Sequence, residues 1–165
     1  MKPKIFKRAV FLALGLFAVT LSLLALHPEP PTPSKPLFVG AQIDPSTRAL
    51  FRRACQDCHS DNTKWPWYSR IPPMSSMIGK DVGEARRHVN FSHWDSYNPD
   101  QQEEFLARIG NNARIGRMPL PRYTLLHHEA SLTPQERQQI YEWSKAERRR
   151  VRAAAGPAPS SATGQ

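Results

Sequence analysis

The sequence predicts a mainly α-helical protein with long loops rich in proline and aromatic residues. Two helix starts carry a capping residue followed by proline, at Asp44-Pro45 and at Thr133-Pro134. Apolar residues recur at helical spacing after each start. No stretch alternates apolar and polar residues for long enough to indicate a sheet.

Each predicted helix has its own signal. The helix from Pro45 carries an apolar face up to the following cysteine. A shorter helix is predicted at 78–89. The next opens at Pro99, over PDQQEEFLARIGNNAR, with acidic residues near its start as the helix dipole favours. The last begins with a capping box formed by Thr133 and Glu136.

Residues 1–26 are predicted to be a membrane anchor or a signal segment. Four basic residues precede an apolar run of 18 residues, Ala9 to Leu26, which is long for a signal peptide and short for a transmembrane helix. The end of the run lacks a good A-x-A cleavage pattern, which favours an uncleaved N-terminal transmembrane helix. The positive-inside rule then predicts a single-pass protein of a bacterial inner membrane with its domain in the periplasm, or an exported protein if the segment is cleaved.

The rest of the chain is predicted to hold one domain, as its 165 residues allow. Residues 27–43 contain five prolines, which predicts an extended tether. The folded domain is predicted over 44–150, and the small polar residues at 151–165 predict a disordered tail.

The net charge of +9 and the pI near 10.1 invite a nucleic-acid-binding interpretation, which the distribution of the charge argues against. Basic residues concentrate before the apolar run and near the end of the last helix. Residues 27–144 carry 14 basic and 13 acidic residues and are nearly neutral. The basic C-terminal segment is expected to suit anionic lipid or an acidic partner protein.

The chemically informative motif is Cys55-Gln56-Asp57-Cys58-His59. Two thiols at this spacing followed by histidine are typical of covalent c-type haem attachment, in which each thiol binds one vinyl group and the histidine binds iron. Three alternatives remain: a structural disulfide, a thioredoxin-like redox pair, and a zinc site. The zinc site would recruit further histidines from His88, His93, His127 and His128.

The sixth iron ligand is predicted to be Met118, which lies in a proline-stiffened loop, Gly-Arg-Met-Pro-Leu-Pro, after the second long helix. Other candidates are the methionines Met74 and Met77 and the histidines His127 and His128. An open sixth position is the remaining possibility, and it would suit a peroxidase or a gas sensor.

The loop after the motif holds Trp65, Trp67 and Tyr68, which we expect to cover an apolar macrocycle. A group from this loop is expected to orient His59. The candidates to neutralise the haem propionates are Arg70, Arg86 and Arg117.

Together these motifs resemble the bacterial haem-binding domain family with a single CxxCH. The likeness runs over about residues 44–146 and rests on these segments: CxxCHS at 55–60, WPWYS at 65–69, IPP at 71–73, NFSxW at 90–94 and MP at 118–119. The resemblance implies a small c-type cytochrome-like helical domain, with Cys55 and Cys58 attaching haem, His59 as proximal ligand and Met118 as the matching methionine. Ala85 and Leu120 depart from the pattern.

The predicted function is one-electron transfer by a membrane-tethered periplasmic monohaem c-type cytochrome that is not an enzyme. Its predicted cofactor is one covalently attached haem c, and its predicted partners are redox proteins and the inner membrane, with no nucleic acid. The alternative is a haem enzyme or sensor whose sixth position is open or labile.

Overall fold

The computed structural model describes residues 3–25 and 35–156, with side chains described for 6–21 and 35–156. The described chain is mainly helical, which confirms the predicted class. Its α-helices are α1 (Pro3–Ala25), α2 (Pro45–Ala54), α3 (Gln56–His59), α4 (Met74–His88), α5 (Pro99–Arg114), α6 (Pro121–Thr124) and α7 (Pro134–Ala155). Three 3₁₀ turns, Trp67–Arg70, Phe91–Ser96 and His128–Ala130, join them.

The chain divides into two units. Among the described residues, the first comprises 3–25 and 65–80, and within it α1 contacts the 3₁₀ turn Trp67–Arg70. The second comprises 35–64 and 81–156 and contains α2, α3, α5, α6 and α7. The helix α4 begins in the first unit and ends in the second.

The predicted transmembrane helix is a point of correction. Within residues 3–25 and 35–156, no helix is long and apolar enough to cross a membrane. The apolar run begins only at Ala9 and α1 ends at Ala25, so the apolar part of the helix is shorter than the about 20 residues that typically span a bilayer. The predicted single-pass inner-membrane location is therefore wrong as well.

The second unit is built around the antiparallel pair α5 and α7, against which α2 packs. Its centre is an aromatic cluster in which the ring of Phe38 lies 4.5–5.2 Å, centroid to centroid, from the rings of Phe51, Phe91, Trp94 and Trp143. Edge-to-face and offset contacts of this kind stabilise a core beyond the burial of apolar area alone. The cluster supports α2, which leads directly into the Cys55 motif.

The predicted tether over 27–43 lies partly outside the described residues, and its described part needs correction. From residue 35 onward the chain enters the core: Leu37 is 2 % exposed and Phe38 is 1 % exposed. The backbone N–H of Phe38 donates to the carbonyl of Phe91 over 3.0 Å, and φ of Phe38 is 56°. Burial of the large ring offsets this left-handed backbone, which non-glycine residues adopt at a cost.

The predicted tail at 151–165 also begins too early, because α7 continues to Ala155. Val151 is buried in the core, and Arg152 forms an ion pair with Glu103 of α5. Alanines at 153–155 add residues of high helix propensity. The remainder of the predicted tail, 157–165, lies outside the described residues.

Three predicted helix starts, at Pro45, Pro99 and Pro134, are confirmed, whereas the helix predicted at 78–89 begins earlier, at Met74, and ends at His88. The capping box of α7 forms between Thr133 and Glu136, and α5 runs from Pro99 to Arg114 as predicted. The capping box of α5, formed by Asn98 and Gln101, was missed although its sequence pattern is present.

Replacing Asp44, the N-cap of α2, with alanine is expected to lower the free energy of unfolding by about 1 kcal/mol near neutral pH. The Asp44 carboxylate accepts from the Thr47 amide over 2.9 Å, and hydrogen bonds from Ser46 and Thr47 lower the pKa of Asp44 to about 2. Because the pKa of Asp44 is lower in the folded protein than in the unfolded chain, its ionised carboxylate stabilises the fold at any pH above the ordinary carboxyl pKa near 4. This contribution is lost as the pH falls through about 2. Urea unfolding of both proteins at pH 7 and pH 2.5 measures the difference, which should shrink at the lower pH; a constant difference would contradict it.

Candidate haem site

The Cys55 motif lies where α2 gives way to the short α3. Cys55 caps α2 and donates its N–H to the carbonyl of Phe51 over 3.0 Å, while its own carbonyl accepts from His59 N–H over 3.0 Å. The hydroxyl of Ser60 donates to the carbonyl of Gln56 over 2.7 Å and ends α3. Both cysteines and His59 therefore lie within one helical turn anchored to the aromatic core.

His59 is held in one orientation by its neighbours. Its Nδ1 lies 3.1 Å from the carbonyl of Val89, and because a carbonyl only accepts, Nδ1 carries the hydrogen. The ring of Phe91 stacks on the imidazole at 5.4 Å. The Nε2 lone pair is therefore the one left to bind a metal. We expected the orienting group to come from the loop after the motif; it comes instead from the segment after α4.

Burial favours the uncharged forms of the titratable groups in the motif. It lowers the pKa of His59, against the hydrogen bond to Val89, which raises it. Burial, followed by the neighbouring Cys58, raises the pKa of the Cys55 thiol to about 12. Burial and then the carboxylates of Asp57 and Asp81 raise the pKa of Cys58 to about 11.

Both cysteines are therefore protonated thiols at neutral pH, and both are free of a disulfide. The lowered thiol pKa typical of thioredoxin-like redox pairs is not found in this pair. The predicted disulfide and redox alternatives gain no support from the described motif.

Two cavities of about 420 and 230 Å³ adjoin the motif in the second unit. They share five lining residues: Cys55, His59, His88, Met118 and Leu120. Cys58 lines the smaller cavity only. The predicted site residues are thus brought together, since Cys55, His59 and Met118 face the same two cavities.

The walls of the cavities suit a large apolar ring system. The larger cavity is lined mainly by apolar residues, Phe51, Val89, Phe91, Phe105, Ile109, Ala113, Leu132 and Ile140. The combined space falls in the range of roughly 300–1,000 Å³ found for cofactor sites. Apolar walls, two thiols, a neutral imidazole and a thioether fit haem. The aromatic residues here are Phe51, Phe91, Phe105 and Tyr123, whereas we predicted Trp65, Trp67 and Tyr68 as the cover.

Met118 reaches the cavities through the turn that follows α5. Gly116 adopts a φ of 71°, and the N–H groups of Arg117 and Met118 both donate to the carbonyl of Asn112, over 2.9 and 3.3 Å. This positive φ is what favours glycine at 116, since the atom that a Cβ would meet belongs to the flexible end of the Arg137 side chain.

Two polar contacts fix the segment after Met118 to the rest of the site. Arg122 donates to both carboxylate oxygens of Asp81, over 3.0 and 2.6 Å. The hydroxyl of Tyr123 donates to Asp57, inside the cysteine motif, over 2.8 Å. Sequence reasoning missed these contacts, because the spacing of the residues along the chain gives no sign that they pair.

Arg86, a predicted propionate partner, has a different role. Its Nε donates to the carbonyl of Ser60 over 3.0 Å, and its Nη2 donates to the hydroxyl of Thr63 over 2.8 Å. The Thr63 hydroxyl in turn donates to the carbonyl of Asp57 over 2.6 Å. Arg86 therefore holds the loop that follows the motif. Of the other two candidates, Arg117 lines the larger cavity and Arg70 belongs to the first unit.

The histidines considered as zinc or iron ligands lie with different partners. His88 contacts Arg108, His93 lies 2.9 Å from the Asp61 carboxylate, and His127 stacks on Tyr123 at 4.4 Å. Within the described ranges, no three His, Cys, Asp or Glu residues converge as a metal-binding group. Met118, and not His127 or His128, lines the cavities beside His59.

The helical fold and this site define a small helical haem-binding protein. A family model described as "Haem-binding domain" matches residues 16–146, which is most of the chain, and the protein belongs to that family. Neither the curated proteins nor the solved structures yielded a match to this chain.

Proposed function

We propose that the protein is a monohaem c-type cytochrome that transfers single electrons. In this proposal Cys55 and Cys58 attach haem c covalently, and His59 and Met118 are its axial ligands. The observation that carries the proposal is the placement of Cys55, His59 and Met118 on the walls of the same two cavities.

The residues divide the work of holding the haem. Each thiol adds across one vinyl group: the sulfur bonds to a vinyl carbon and the thiol hydrogen goes to the neighbouring carbon, so no oxidant is consumed. His59 presents Nε2, since Val89 holds the hydrogen on Nδ1. Met118 supplies a thioether, a ligand that raises the potential of haem iron relative to a second imidazole. When bound, haem supplies an iron that alternates between the ferric and ferrous states.

Two filled axial positions favour electron transfer over bond chemistry, because a substrate cannot reach the iron. The contacts Arg122–Asp81 and Tyr123–Asp57 support this proposal by restraining the segment that carries Met118. Electron carriers of this kind meet their partners through small, weak interfaces. The proposed partners are accordingly redox proteins, and no nucleic acid is proposed.

The sixth position can be tested with carbon monoxide. The oxidised protein is expected to show a low-spin spectrum with a methionine–iron charge-transfer band in the far red. The reduced protein is expected to bind carbon monoxide slowly, because Met118 must first dissociate, and to pass its electron rapidly to a small-molecule acceptor. A high-spin spectrum with immediate carbon monoxide binding would instead support the enzyme or sensor alternative.

A further inference from the structure

We infer that Arg108 and His88, together with Arg117, bind the carboxylates of the haem where these three residues line the larger cavity. This inference rests on the proposed function, because the two thioether bonds set the orientation of the haem. The inference assigns a carboxylate-binding role to Arg108 and His88. No sequence motif predicted this role for either residue.

The residues that line the two cavities differ, and this difference indicates how the haem is oriented in the site. Cys58 lines the smaller cavity alone, whereas Arg108, Asn112 and Arg117 line the larger cavity alone. The vinyl groups and the two propionates occupy opposite edges of haem. With the vinyl edge at the cysteines, the propionates extend toward the end of the larger cavity that carries the arginines.

The polar groups at that end are donors. Arg108 Nη2 donates to His88 Nδ1 over 3.3 Å, and because arginine cannot accept, the ring hydrogen of His88 lies on Nε2. His88 Nε2 is thus a second donor, on a residue that lines both cavities. A guanidinium is the side chain best shaped to bind a carboxylate through paired hydrogen bonds.

The existing contacts of Arg108 and Arg117 leave both side chains able to bind a haem carboxylate. Arg108 also contacts Glu104 over 3.2 Å, but both side chains are about half exposed, and exposed pairs of this kind are worth little. Within residues 35–156 no ion pair of the Arg117 side chain is formed.

The test compares the reversible binding of haem and of haem dimethyl ester, whose carboxylates are neutral. The full-length protein carrying Cys55→Ala and Cys58→Ala is used so that neither ligand becomes covalently attached. It is expected to bind haem about tenfold or more tightly than the ester, as loss of one hydrogen bond to a charged group implies. Adding Arg108→Gln, His88→Gln and Arg117→Gln together is expected to abolish this preference.

Matched variants separate carboxylate binding from a general change in charge. Arg114→Gln removes a cation from the same helix, where Arg114 lies over the ring of Tyr141, and it should leave the preference intact. Arg108→Lys keeps the charge and should keep part of the preference. A parent protein that binds haem and its ester equally, or a preference that survives the combined Arg108→Gln, His88→Gln and Arg117→Gln substitutions, would overturn the inference.

The covalent holoprotein supplies a second measurement that needs no reversible binding. Loss of a cation near the haem favours the ferric state. Arg108→Gln is therefore expected to lower the equilibrium constant for reduction by up to about tenfold, which lowers the reduction potential by up to about 59 mV for one electron. Equal potentials for Arg108→Gln and Arg114→Gln would contradict the assignment. Haem that leaves the wild-type protein on denaturation would refute the proposed covalent attachment, whereas a preference for haem over its ester would still support the carboxylate site.

Discussion

Replacing Met118 with alanine is expected to remove the far-red methionine–iron band of the oxidised protein and to lower its reduction potential by on the order of 0.1 V. Axial ligands tune haem over roughly 0.8 V, and a thioether favours the ferrous state more than water or imidazole does. Met118 lines both cavities with His59, which is the observation behind its proposed role as the sixth ligand. Absorption spectroscopy and a redox titration of the purified holoprotein measure both effects.

Met77 provides the control for this experiment. It is an exposed methionine of the first unit, at 49 % exposure, and Met77→Ala should leave both the band and the potential unchanged. The variant Met118→His tests ligation further, since a second imidazole should restore a low-spin spectrum at a lower potential. A band that persists in Met118→Ala would exclude Met118 as the sixth ligand.

Replacing Phe38 with alanine is expected to destabilise the protein by about 3–5 kcal/mol, a large share of the roughly 5–15 kcal/mol that stabilises an ordinary domain. The Phe38 ring is 1 % exposed and contacts four other aromatic rings, so its loss leaves a cavity at the centre of the second unit. Urea unfolding followed by tryptophan fluorescence measures the change, since Trp94 and Trp143 adjoin the cavity.

The neighbouring Val39 separates this effect from a general effect of alanine in the segment. Val39 is 41 % exposed, and Val39→Ala is expected to change the free energy of unfolding by less than about 0.5 kcal/mol. Equal losses for the two variants would mean that the segment is held by its backbone contacts and that the aromatic cluster contributes little.

The helices could be predicted because their signals are local. Asp44, Pro99 and Thr133 mark helix starts through contacts within one turn, and each appears in the structure where the sequence places it. Cys55, Cys58 and His59 were likewise found from spacing alone. Interactions between residues that are neighbours along the chain can be predicted directly from the sequence.

The remaining features depend on contacts between distant segments. Phe38 follows a proline-rich stretch that the sequence predicts to be a tether. Only the packing of Phe38 against Phe91 and Trp143 shows that Phe38 belongs to the core. Val89 orients His59 across 30 positions of sequence, and Arg122 pairs with Asp81 across 41. No local pattern identifies such partners, which is why Arg86 was assigned to the propionates.

The basic C-terminal segment is another case in which the sequence pattern alone does not show the contacts that its residues make. Its residues look unbalanced in sequence, yet Arg150 pairs with the buried Glu147 and Arg152 pairs with Glu103 on α5. Lys145 lies 3.6 Å from Glu142. The Arg152 pair joins α7 to α5, and the other two pairs lie within α7, so less of the positive charge is left for the lipid or acidic partner that the sequence suggested.

The central claim, covalent attachment of haem through both cysteines, is tested most directly by a haem stain on a denaturing gel. The wild-type holoprotein is expected to retain its haem, Cys58→Ala to retain it through Cys55 alone with a shifted spectrum from the remaining vinyl group, and Cys55→Ala with Cys58→Ala to lose it. Staining of the double variant at the wild-type level, or the absence of stain from the wild-type protein, would contradict the account.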